Sequence, residues 1–91
     1  MSAPTPYDVV VSLEGHDRGE YLLVVGEEED RILLCDGRNR RLVHPKSKSP
    51  KHVRVIGRRK NAPKTDREIR KTLALAAAQA AAKEERLLGE R

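Results

Sequence analysis

Tyr21-Leu22-Leu23-Val24-Val25, the charged break Glu27-Glu28-Glu29-Asp30, and Ile32-Leu33-Leu34-Cys35-Asp36-Gly37 decide the fold. Two short apolar runs separated by a polar interruption predict two strands and the turn between them. Four adjacent acids repel one another, and solvent screens that repulsion far better than a core would. The acidic stretch is therefore expected at an exposed hairpin tip. Asp36-Gly37 is a strong short-range turn signal that closes the second of these strands.

Toward the N-terminus, Val9, Val10, Val11 and Leu13 form another β-branched run. Between it and Tyr21 lies Gly15-His16-Asp17-Arg18-Gly19, where two glycines flank polar residues and supply the backbone angles of a tight reversal. Gly15, Asp17, Gly19, Asp36 and Gly37 are thus read as structural turn residues. Residues 1–8, MSAPTPYD, read as a flexible leader without the charged and apolar regions of a signal peptide.

Toward the C-terminus, Arg41-Leu42-Val43-His44 is expected as a short fourth strand. Pro45 to Pro50, with its lysines and serines, is expected as loop. Val53-Arg54-Val55-Ile56 alternates as a fifth strand. Five short strands between turns predict a mainly β domain over residues 9–57, a small antiparallel barrel that removes the edge-strand hazard of so small a sheet.

Composition changes at Gly57. Residues 58–64 form a basic linker, and Thr65-Asp66-Arg67-Glu68 has the form of a capping box opening an alanine-rich helix over residues 65–88, with Gly89 as a stop. Ile69, Leu73, Ala76, Ala80 and Leu87 fall on one thin stripe of that helix. Helix propensity alone and docking on RNA or protein are equally open readings of it.

Ninety-one residues allow one small core. Aromatic residues make up 2% of the chain and Trp and Phe are absent, so the core is expected to be aliphatic. The lone Cys35 can form no intramolecular disulfide and reads as a small core residue. No run approaches the roughly 18 apolar residues needed to span a bilayer, and a cytoplasmic location without a membrane partner is expected.

The net charge of +5 is unevenly placed. Met1 to Gly37 holds nine acids and two bases, whereas Arg38 to Lys64 holds eleven bases and no acid. Bases confined to one segment create a local positive field that attracts a polyanion. The candidate RNA contacts are Arg38, Arg40, Arg41, Lys46, Lys48, Lys51, Arg54, Arg58, Arg59 and Lys60, joined by His44 and His52 at the margins of the lysine-rich loop. Arginine holds a phosphate bidentately, and lysine acts as a point charge. Modules that splay single strands stack bases on aromatic rings, so the shortage of aromatics favours folded RNA recognised through phosphates and shape.

No phosphate-binding glycine loop or nucleophile motif is present, and the acids are grouped instead of paired across a cleft; the chain is not expected to be an enzyme or to carry a cofactor. Three histidines and one thiol lack the paired short spacings of a structural zinc site, and no metal is expected.

The order of these features resembles a known family. Leu13 to Val25, a strand, a glycine-flanked turn with an acid, and a second apolar strand, resembles a KOW motif. Asp36-Gly37-Arg38-Asn39-Arg40, His44-Pro45-Lys46-Ser47-Lys48 and Lys51-His52-Val53 continue it in the manner of bacterial KOW-domain RNA-binding proteins. These in turn resemble KOW-containing large-subunit ribosomal proteins of archaea and eukaryotes. The resemblance covers Val9 to Gly57 and implies a partly open, SH3-like five-stranded barrel that binds structured ribosomal RNA, in association with the ribosome and translation. A second reading stays open: a protein-interaction module docking a ribosomal protein or a transcription or translation factor.

Overall fold

The computed structural model describes residues 3–89, with the side chains of the helix described as far as residue 83. The elements are β1 (Asp8–Ser12), β2 (Tyr21–Glu28), β3 (Arg31–Cys35), β4 (Lys46–Lys48), a one-turn 3-10 helix (Pro50–His52), β5 (Val53–Arg58) and α1 (Asp66–Gly89). The strands form one open antiparallel sheet in the order β4-β3-β2-β1-β5. The chain is mainly β, with a C-terminal helix.

The sheet is strongly curled. In a flat sheet, four strand spacings would separate β4 from β5 by about 19 Å. The connection is one 3-10 turn rising about 2 Å per residue, too short for that span. A side-chain bond across the sheet agrees: Lys48 Nζ of β4 donates to Ser12 Oγ of β1, three strands away, at 2.9 Å.

Both faces of the central strands are apolar, which is why they read as unbroken hydrophobic runs instead of an alternation. Val10, Leu22, Val24, Ile32, Leu34 and Val53 form the core enclosed by the curl. Val9, Leu23 and Cys35 pack instead with Ile69, Leu73 and Ala76 of α1. The helix thus covers the second face. Ala80, the next residue of the stripe, is half-buried, and the side chain of Leu87 lies outside the described residues. Thr65 Oγ1 accepts from the Glu68 amide at 3.1 Å as the expected cap, whereas the Glu68 carboxylate accepts from Lys64, one residue before the reciprocal partner of a regular capping box.

The fourth strand is not the expected one. Arg41–His44 is a turn, closed by the His44 amide donating to Arg41 O at 2.9 Å, and the strand lies at Lys46–Lys48 inside the expected loop. Its register, Ile32↔Lys48 to Leu34↔Lys46, is supported by Arg31, whose Nε donates to Ser47 Oγ at 2.7 Å. A three-residue polar strand carries no hydrophobic signal. Leu42 and Val43 supplied a misleading one: Leu42 packs on the core from the turn, and Val43 is 89% exposed.

The leader is packed where it is described. Pro4 is buried, Tyr7 packs against the helix-side core, and Asp8 already belongs to β1, paired with Arg58. Its carboxylate accepts from the Thr5 amide at 3.0 Å and faces Arg58 Nη1 at 3.4 Å. Met1 and Ser2 lie outside the described residues.

Candidate nucleic-acid interface

The segment between β3 and β4 is built to hold a fixed shape. Asp36 Oδ1 accepts from the amides of Arg38 and Arg40, both at 2.8 Å, and Arg40 O accepts from the amides of Asp36 and Gly37. Gly37 has φ +79°, and a Cβ there would fall 2.5 Å from Asp66 O and 2.9 Å from Arg70 Cγ. Only glycine suits both the angle and the close approach. The helix then grips the loop from the other side: Arg70 Nη1 donates to Gly37 O at 2.7 Å, and the Leu42 amide donates to Asp66 Oδ1 at 2.8 Å.

This scaffold leaves Arg38, Arg40, Arg41 and His44 exposed. Among the described residues, none of the three arginines has a carboxylate within ion-pair distance. Prearranging these charges lowers the ordering cost of binding a polyanion. Sequence reading identified the arginines but not Asp66 and Arg70, which hold their loop. The only sequence signal for those two was their place in the first turns of a helix.

Strand directions place the remaining candidates. Ser12, Tyr21, Cys35 and Val53 lie at one end of the sheet, so the β1–β2 turn, the β3–β4 loop and the 3-10 turn emerge together there. Leu13 N donates to His52 O at 2.8 Å, and His52 Nε2 lies 3.3 Å from Glu14 Oε2. Lys51 and Arg54 are exposed nearby, Arg54 opposite Val11. Arg58 sits at the other end, beside Asp8, followed by half-buried Arg59 and exposed Lys60. The acidic hairpin of Glu27, Glu28, Glu29 and Asp30 is exposed at that far end too. The basic stretch is therefore two groups, and the loop-end group is the larger.

Two of the candidates serve the fold. Lys48 is buried, and its ammonium donates to Asp17 Oδ1 at 2.7 Å, Ser12 Oγ at 2.9 Å and Glu14 O at 2.7 Å. All three donors are used inside the protein, which leaves the buried Lys48 ammonium none to offer a phosphate. Lys46, partly exposed, donates to Asp17 Oδ2 at 3.0 Å. Asp17, read as a turn residue, is the centre of this cluster. Burial pushes its carboxyl upward, but hydrogen bonds from Lys48, Ser12 and Lys46 and the charge of Lys48 outweigh that and hold it well below the usual carboxylate range. Gly15 (φ +94°) and Gly19 (φ +86°) turn the chain around it.

Cys35 is fully buried, and burial followed by the nearby charges of Asp66 and Asp36 pushes its thiol up to about 11, far from reactive thiolate chemistry. Among the described residues, no group of three or more His, Cys, Asp or Glu side chains is placed to hold a metal ion. No described helix is long and apolar enough to cross a membrane. The chain matches no family model and no curated protein sequence.

Proposed function

We propose that this chain is an RNA-binding module of the KOW type, ribosome-associated and cytoplasmic, which holds structured ribosomal RNA against the loop end of its sheet. The observation that carries this reading is the β3–β4 loop: three exposed arginines without ion-pair partners among the described residues, on a backbone fixed by Asp36, Gly37, Asp66 and Arg70. The curled five-stranded sheet fits the SH3-like barrel that the KOW resemblance implies. The surface has no reaction centre in this reading; its affinity comes from phosphate contacts and its selectivity from RNA shape.

Electrophoretic mobility shift with a structured ribosomal RNA fragment, across a salt series, tests it. If about five phosphates are neutralised, log affinity falls with log salt at a slope of roughly −3.5 to −4.5. The triple variant R38A/R40A/R41A lowers both affinity and slope while leaving the melting temperature in place. A flat salt titration, or full affinity in the triple variant, would sink the reading. Crosslinks confined to protein in sedimented ribosomal particles would favour a protein-docking module instead.

A further inference from the structure

A groove of about 670 Å³ runs between α1 and the edge strand β5. Three cations border it, Arg54 and Arg59 from the sheet side and Lys83 from the helix, and none of the described residues lining it is acidic. Tyr21, half-buried and packed against the helix-side core, also lines it. The helix wall consists of Ala76, Ala77, Ala80 and Ala81, side chains short enough to let a bulky ligand approach the helix backbone. Tyr21 also borders a second hollow, lined by Arg38 and Arg70 together with Glu20 and Asp36, so the groove and the arginine loop adjoin at this residue.

We infer that this groove holds a short unpaired segment of RNA that leaves the structured element bound at the arginine loop, with phosphates against Arg54, Arg59 and Lys83 and a base on Tyr21. The inference rests on the RNA-binding reading and adds a second subsite to it. A basic channel with an aromatic platform is how proteins hold single strands without reading their sequence. The aromatic shortage that argued against single strands applies to the chain as a whole; Tyr21, its strand-borne aromatic residue, lines the same groove as the three cations. The charge also selects the occupant, since three cations with no carboxylate among the described residues lining the groove fit a phosphodiester chain.

The test compares a blunt RNA hairpin with the same hairpin carrying a four-nucleotide unpaired tail, placed in turn at either end. For the unaltered chain, the tail at one end is expected to tighten binding by on the order of tenfold, the contribution of a stacked base. Q79E/K83E puts two carboxylates at exposed positions of the groove; it is expected to erase the tail's effect and keep the hairpin affinity. R38A/R40A/R41A is expected to do the reverse, weakening both RNAs equally and preserving the ratio. Y21L, checked for an unchanged melting temperature, removes the platform and should reduce the ratio, whereas Y21F should keep it. A ratio of one in the unaltered chain, or a ratio that survives Q79E/K83E, overturns the inference while leaving the loop reading intact. Displacement of the tail by an acidic peptide at comparable concentration makes the groove a protein site and also overturns it. If neither RNA binds, the RNA-binding reading falls and this inference falls with it.

Discussion

Lys48 Nζ lies 2.7 Å from Asp17 Oδ1, a contact in which the lysine side chain is 8% exposed and the aspartate 11%. It joins the edge strand β4 to the turn beyond β1 and so fastens one side of the curl to the other. Removing one partner of a buried pair leaves the other charge without compensation. K48M is expected to lose about 3 kcal/mol or more of stability in urea titration, because Asp17 keeps only Lys46 and Ser12. K46A, at a partly exposed site, is expected to lose less than about 1 kcal/mol. A K46A/K48A/K51A variant would therefore report on folding before it reported on RNA. Equal losses in K48M and K46A would contradict this assignment.

The same cluster sets an acid limit. Asp17 has a lower pKa folded than its unfolded value of about 3.9, so its contribution is complete above that value and is lost as pH falls toward the folded pKa. Unfolding free energy measured from pH 6 down to pH 2 should drop on the acid side. D17N is expected to start less stable at pH 6 and to show a shallower drop. A D17N profile parallel to the parent would place the acid sensitivity elsewhere.

Gly37, in the β3–β4 loop, lies directly against the first turns of α1. Alanine there combines a left-handed backbone angle, costing about 1–2 kcal/mol, with a Cβ overlapping Asp66 O, costing a further 1–3 kcal/mol. G37A should accordingly lose about 2–5 kcal/mol and, on the proposed RNA-binding reading, lose RNA affinity even under conditions where it is fully folded. Unchanged stability in thermal melts would mean that loop and helix do not meet as described.

At the tip of the β2–β3 hairpin, Glu29 has φ 55°, the left-handed region that non-glycine residues avoid. Asparagine tolerates it better, and its introduction also removes one of four adjacent acids. E29N is expected to gain about 0.5–1 kcal/mol, read as a rise of about 4 °C in melting temperature. No rise, or a fall, would count against the turn geometry.

Ile69 is fully buried between α1 and the sheet. I69A should cost about 2–5 kcal/mol, whereas L75A, at a half-exposed position facing away, should cost well under 1 kcal/mol. Similar losses in both would mean that the helix does not pack on this face.

Where hydrophobic residues alternated or clustered, the fold was legible in the sequence: β1, β2, β3 and β5 stand where their apolar runs placed them, and Cys35 is in the core. β4 was not legible because its residues are Lys-Ser-Lys, and its inward side chain is a lysine satisfied by groups distant in sequence. The packing of α1 was hidden for a related reason. Its alanines suggested a thin stripe, yet Val9, Leu23 and Cys35 on unbroken apolar strands already required a cover for a second face. Of the candidate surface, the arginine loop could be read from charge. Charge counting could not separate Lys48, buried in the fold, from its exposed neighbours, because ion pairing depends on which strands meet.

The grip of Asp66 and Arg70 on the β3–β4 loop also bears on how the protein is made. Synthesis runs from the N-terminus, so the arginine loop leaves the ribosome before the helix that fixes its backbone. Until Ile69, Leu73 and Ala76 follow, the outer face of the sheet stays uncovered and the loop lacks two of its anchors. Maturation of the loop is therefore timed by the arrival of the C-terminal helix: a nascent chain carries all three arginines well before it can hold them in their finished arrangement.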